Sequence, residues 1–181
     1  MTEPGSTERG ASALRFEPLS PLHDKTAFHC GQPDLDAYFQ RRARQDVSRN
    51  LARVYVLTRD GKNVDGFYTL SATSIDPTSL PSQTARKLPS ISLPAILLGR
   101  MAVDKRIQGL GLGNVVLMNA LRMALDGSHL IGAWAVVVDA KPDARAYYLK
   151  YEFQSFPDQP SRLFLTIAHF AQLVSGLSIA E

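Results

Sequence analysis

At 181 residues, with 45% hydrophobic and 20% charged side chains, the chain is long enough for one buried core, short for two domains of typical size, and too apolar for a disordered protein. Twenty Lys and Arg against seventeen Asp and Glu leave +3, too mild a balance to set a strong affinity for polyanions by itself. One cysteine, Cys30, excludes an intrachain disulfide, and no Cys/His spacing suits zinc; a cytoplasmic protein without metal is expected.

Residues 1–13 lack the apolar run of a signal peptide and read as a disordered start, with one domain over 14–175 and a tail at 176–181. Leu14 to Leu19 alternates apolar and charged residues as an opening strand does. Asp34 precedes apolar residues at helical spacing and predicts an N-capped helix to about Val47. Arg53 to Arg59 and Val64 to Ser74, joined by Asp60-Gly61, predict a hairpin. Four prolines between Ile75 and Pro94 predict a loop with one short helical turn. Ala95 to Val103 then reads as a central strand, and Asn114 to Asp126 as an amphipathic helix. A buried strand over Ala133 to Ala140, a short helix over Asp143 to Tyr151 and a strand over Leu163 to Ile167 complete a mixed α/β sheet covered by helices. The longest clearly apolar stretch, Gly132 to Val138, is far below the roughly 18 residues a membrane span needs.

The most informative stretch is Val103 to Asn114, with Gly109, Gly111 and Gly113 between a strand end and a helix start. Glycines let backbone N–H groups converge, and the helix N-terminus adds partial positive charge, so the loop suits a phosphate or diphosphate. It is neither a P-loop nor a dinucleotide fingerprint, since no Gly-Lys-Ser/Thr follows and Asn114 stands where a third glycine would be needed. Taken alone, three glycines are equally compatible with a tight turn packed on the sheet.

Gln108-x-x-Gly111-x-Gly113 after Leu98-Gly99-Arg100-Met101-Ala102-Val103-Asp104, with Ala144-Arg145-Ala146-Tyr147-Tyr148 later, resembles the GCN5-related N-acetyltransferases (GNAT). Phe28-His29-Cys30-Gly31, Leu35-Asp36, Tyr68 to Ala72 and Leu80-Pro81 resemble, as an ordered set, the acetyltransferase toxins of type II toxin–antitoxin systems. The likeness covers roughly residues 14 to 170 and implies a mostly antiparallel sheet that splays into a V between its fourth and fifth strands. It implies acetyl-CoA as cosubstrate, with the diphosphate on Gln108, Gly109, Leu110, Gly111, Leu112, Gly113 and Asn114. The pantetheine would pair with Met101, Ala102 and Val103. Lys141 stands where many relatives carry an asparagine that touches the pantetheine, and Glu152 stands where they carry a glycine. Tyr148 matches the family's general acid, and Tyr147 is expected to pack on the sheet.

Acyl transfer to an amine needs a neutral nucleophile, a polarised carbonyl and a proton for the departing thiolate. Asp139 is the one carboxylate with a claim to the cleft, and a lone aspartate at a strand end is more often solvated or a cap. An α-amine, near pKa 8, needs a base less than a lysine near 10.4, so an α-amine acceptor is favoured. The four histidines are scattered and support neither a metal nor a triad, and Cys30 reads as a small, partly buried hydrophobe.

Between Arg41 and Arg53 lie five arginines, Arg41, Arg42, Arg44, Arg49 and Arg53, against one acid, Asp46, a local +4 that leaves the rest of the chain at −1. On charge alone this is an ordinary solvated helix face. The toxin resemblance tips it toward an RNA backbone, with Arg86, Lys87 and Arg100 as further candidate tRNA contacts and Lys141, Arg145 and Lys150 on the rim. The expected activity is acetylation of the α-amine of aminoacyl-tRNA, which would block translation. By the same resemblance a ribbon-helix-helix antitoxin and a homodimer are the expected partners. Acetylation of a small amine or a protein N-terminus, and a CoA-binding protein without turnover, remain open alternatives.

Overall fold

The computed structural model describes residues 13–177, so all but the last residue of the disordered start expected for 1–13, and the last four of the expected tail, lie outside the described residues. The strands are β1 Arg15–Pro18, β2 Arg53–Thr58, β3 Gly66–Ile75, β4 Leu93–Val103, β5 Ala135–Asp139, β6 Gln154–Phe156 and β7 Gln159–Thr166. The helices are α1 Pro33–Arg41, α2 Ala43–Ser48, α3 Ser82–Ala85, α4 Leu112–Leu130, α5 Arg145–Lys150 and α6 Ile167–Leu177. The sheet order is β1-β2-β3-β4-β5-β7-β6, antiparallel throughout except where β5 runs parallel to β4. A parallel neighbour requires a crossover, and α4 supplies it.

The apolar faces explain the layering. β5 reads Ala-Val-Val-Val because both of its faces are covered. Val136 and Val138 pack with Val116, Leu117, Ala120 and Leu121 of α4 and with Phe170 of α6. Ala135 and Val137 pack on the opposite face with Leu93, Phe156 and Phe164. Over the N-terminal half of the sheet, Phe28 and Phe39 close on Phe67, with ring centroids 5.4 and 4.4 Å away. Among the described residues no helix is long and apolar enough to cross a membrane.

The helix expected from Asp34 to Val47 is two helices. Arg42 relaxes to φ −112°, and beyond it the Arg44 guanidinium is drawn to the carbonyls of Ser20, Pro21 and His23 at 3.3, 3.1 and 2.7 Å. Asp34 is not the N-cap: Gln32 holds that place and Pro33 opens the helix, so Asp34 sits in the first turn and its carboxylate reaches Lys141. The helix after the glycine loop starts earlier and ends later than its periodicity predicts. β6 and α6 were not anticipated, and α6 runs across the expected boundary at 175/176.

Glu152 adopts φ 66° after α5, the left-handed conformation for which relatives use glycine. Its carboxylate pairs with His169 of α6, but both partners are exposed, and such pairs contribute little. Glu152→Gly is therefore expected to raise stability by about 1 kcal/mol as the left-handed strain is relieved, a change that urea unfolding measures.

Candidate active site

The β4–β5 ladder runs from Ala95 opposite Ala135 to Leu98 opposite Val138 and stops, while β4 continues to Val103 beside β3 alone. A bulge sits where the two strands part. On β3, Thr69 faces Arg100 and Leu70 faces Leu98, which leaves Gly99 as the extra residue. Thr69 Oγ1 accepts the Arg100 N–H at 3.0 Å, and a Cβ on Gly99 would stand 3.1 Å from that same oxygen. A bulge bends its strand, here away from β5.

The Arg100 and Asp104 N–H groups both point to β3, to Thr69 and to the Asp65 carbonyl at 2.8 Å. Alternation along the strand turns the Ala102 amide the same way and directs those of Met101 and Val103 to the open side. The expected pantetheine contact at Ala102 is therefore corrected, since its backbone is committed to β3. The opening is a cleft of about 230 Å³ with Leu98 and Met101 on one wall, Asp139 and Ala140 on the other, and Tyr148 between them. Asp139 has Arg162 Nη1 at 3.6 Å.

Beyond Val103, Gly109 and Gly111 take φ values of 81° and 77°, and Gly111 is the N-cap of α4. A Cβ at either would meet nothing within 4 Å, so the left-handed backbone, and not lack of space, requires glycine. Among the described residues the N–H groups of Gly109 to Gly113 have no acceptor, whereas Asn114 N–H closes on the Gly111 carbonyl at 3.1 Å. Converging free amides at a helix N-terminus form an anion nest, and the residues present fit a diphosphate. The Asn114 amide, counted among the loop contacts, is already taken.

The loop is anchored from below by the Phe28 to Gly31 segment. Asp104 is 1% exposed and accepts from His29 N–H at 3.1 Å and from Arg106 Nε at 2.7 Å, while Lys105 N–H donates to the His29 carbonyl at 2.7 Å. The Gln108 side-chain amide donates to the carbonyls of Cys30 and Val103 at 2.8 and 2.9 Å. Gln108 is thus a clamp for the loop, and its side chain is not free to meet a ligand. Burial, followed by the bond to the Asp36 carboxylate, pushes the Cys30 thiol up to about 11, so no thiolate is available for acyl transfer.

Tyr148 on α5 is 9% exposed and lies against Phe153 and Tyr147, ring centroids 5.4 and 5.3 Å away. Burial pushes its phenol up to about 12, which keeps it protonated and able to donate at neutral pH. Across the cleft mouth, Lys141 Nζ lies 2.8 Å from Asp34 Oδ2 and 3.4 Å from Gln32 Oε1. This exposed pair places Lys141 at the entrance of the cleft.

The Arg100 guanidinium lies 3.8 Å over the Tyr38 ring, and the Tyr38 hydroxyl donates to Asp46 at 2.9 Å. Arg41, Arg42, Arg49, Arg53, Arg86 and Lys87 are exposed. Arg44 is corrected: its guanidinium is bound to the three carbonyls named above. Arg145 is likewise occupied, with the Pro160 carbonyl and Ser155 Oγ both at 2.8 Å. Sequence reasoning missed Thr69, Gly99 as a bulge, Asp104 and Tyr38. Only Gly99, a glycine inside an apolar strand, carried a local signal.

A larger groove of about 500 Å³ between α4 and α6 is lined mainly by apolar side chains such as Met118, Leu121 and Leu173, and the nest and Tyr148 lie elsewhere. No group of three His, Cys, Asp or Glu suited to a metal occurs among the described residues.

A strand opened beside its parallel neighbour, a glycine nest on the following helix and a protonated tyrosine in the gap define a GNAT acetyltransferase fold and site. No protein-family model matches the chain. Over 157 residues it is 36% identical to the tRNA-acetylating toxin of Mycobacterium tuberculosis, an alignment that covers 86% of this chain and 93% of the relative. Among solved structures it is similar to a tyrosine-to-phenylalanine variant of KacT, with TM-score 0.82, 28% identity and coverage of 88% of this chain and 98% of that one. It is also similar to AtaTR bound with AcCoA, with TM-score 0.78, 26% identity and coverage of 89% and 98%. The chain belongs to the family of tRNA-acetylating GNAT toxins.

Proposed function

We propose that the chain transfers acetyl from acetyl-CoA to the α-amine of an aminoacyl-tRNA in the cytoplasm, and so withdraws that aminoacyl group from peptide-bond formation. The observation that carries this reading is the unpaired length of β4 beside Tyr148, continuous with the anion nest. The free amides of Gly109 to Gly113, with the loop between them held in shape by Gln108, bind the diphosphate. The Met101 and Val103 N–H groups hold the pantetheine and polarise the thioester carbonyl. As the amine nitrogen bonds to the acyl carbon and the C–S bond breaks, Tyr148 gives its phenolic proton to sulfur. A phenol near 12 is a weaker acid than a thiol near 8.5, so that transfer is coupled to C–S cleavage and does not precede it. The proton that the acylated nitrogen sheds passes through water back to the Tyr148 phenolate, which restores the acid. No base is required for an α-amine near pKa 8, which is why this acceptor suits the site better than a lysine.

The exposed Arg41, Arg42, Arg49, Arg53, Arg86 and Lys87, with Arg100 at the cleft, hold the tRNA backbone by charge. The toxin acts with a ribbon-helix-helix antitoxin and as a homodimer. Purified protein incubated with individually charged tRNAs and labelled acetyl-CoA is expected to acetylate the aminoacyl group of one or a few of them. Its tRNA affinity should fall with salt by about 0.7 to 0.9 log units per log of salt for each phosphate contact, and neutralising Arg41, Arg42, Arg49 and Arg53 should flatten that slope. Absence of acetyl transfer to every charged tRNA refutes the proposal, and turnover on a small amine with no salt dependence replaces it.

A further inference from the structure

Tyr147, expected to be a packing residue, carries a hydroxyl that the packing does not use. Its ring lies edge-on to Tyr148 and Tyr151, with centroids 5.3 and 5.2 Å away. Its Oη is fully buried and has no hydrogen-bond partner, the one such side-chain atom among the described residues. Leaving a buried hydroxyl unpaired costs about 1–3 kcal/mol, and a phenylalanine ring would fill the same space without that cost.

The position of the hydroxyl supplies the reason. A Cβ placed on Gly113 would stand 3.9 Å from Tyr147 Oη, which puts the oxygen against the first turn of α4, beside amides that lack acceptors. The amides there are donors, and the phenol can donate as well. We infer that the Tyr147 hydroxyl is a binding group for the cosubstrate, donating a hydrogen bond to a diphosphate oxygen seated on the Gly109 to Gly113 amides. It is a neutral donor beside the backbone N–H groups of the loop, and the bond requires that ligand binding shift the first turn of α4 enough to uncover the buried oxygen. The inference rests on acetyl-CoA as cosubstrate and not on tRNA as acceptor.

Calorimetric titration of the full chain with CoA, in the absence of any acceptor, tests it. The Tyr147→Phe variant is expected to bind CoA about tenfold more weakly, the effect of one hydrogen bond to a charged group. The melting temperature of the ligand-free variant should be unchanged or higher, because an unpaired buried hydroxyl has been removed. Pantetheine, which carries no phosphate, should bind both proteins alike. Unchanged CoA affinity overturns the inference, as does a melting temperature that falls with the affinity, since Tyr147 would then be structural. An equal loss for pantetheine overturns the assignment to the diphosphate. Failure of the tRNA screen leaves each of these readouts intact.

Discussion

Tyr148→Phe is expected to lower acetyl transfer by about 10²–10⁴-fold, the range typical of a lost general acid, while acetyl-CoA binds as before. The separation is expected because the ring contacts with Phe153 and Tyr147 survive the substitution and only the proton is lost. The same residue leaves the alkaline side of the pH profile flat. Its phenol is held near 12 in the folded protein, so it remains a donor across the neutral and mildly alkaline range and begins to ionise only as pH approaches that value. The rising limb belongs to the acceptor: an α-amine near 8 becomes nucleophilic as it loses its proton, so the rate should climb from about pH 6 to 9 and then level. Steady-state rates across pH, together with CoA titration of the variant, check both statements. A fully active Tyr148→Phe protein would remove Tyr148 as the acid, and an alkaline fall centred near pH 9 in the native protein would assign the proton to another group.

Gly111→Val is expected to weaken acetyl-CoA binding by about a hundredfold or more, with little change in the melting temperature. The two effects separate because the position is open, with nothing within 4 Å of an added Cβ, yet the backbone stands at φ 77°. A left-handed residue bearing a Cβ costs about 1–2 kcal/mol, and β-branching makes valine one of the least tolerant choices. The loop relaxes out of that conformation, and the amides from Gly109 to Gly113 no longer converge. Losing two hydrogen bonds to a charged diphosphate, at about 1.5–3 kcal/mol each, accounts for the magnitude. Calorimetry and a thermal scan on the same sample measure the pair of effects. Undiminished affinity in the variant would show that the nest is not the diphosphate site.

What could be read from the sequence alone was local. Gly109 and Gly111 announce a left-handed loop because only glycine enters that region without strain. The strand, loop and helix around them are visible because apolar periods change where the backbone changes. Tyr148 was legible through the resemblance of Ala144-Arg145-Ala146-Tyr147-Tyr148 to the GNAT family. Asp60-Gly61 likewise marked the hairpin between β2 and β3.

Other features have no local signature. Gln108 clamps Cys30 across 78 residues, Lys141 meets Asp34 across 107, and Arg44 turns back to His23 across 21. Each of these side chains reads from the sequence as a free contact for a ligand, and in the folded chain each is held by the protein itself. The V has the same origin. Nothing in β4 says that its partner ends at Asp139 or that Thr69 captures the Arg100 amide, because both depend on strands brought alongside by α4 and by the β3–β4 connection. Nor does residue type distinguish the adjacent Tyr147 and Tyr148, two phenols of identical chemistry that the family resemblance alone tells apart. Packing buries one hydroxyl without a partner against the first turn of α4 and sets the other in the cleft. The sequence determined which backbone conformations are allowed and which residue types stand near the site. The tertiary structure decided which polar groups are spent on one another and which are left for a ligand, because a hydrogen bond between distant segments exists only once the sheet has brought them within 3 Å.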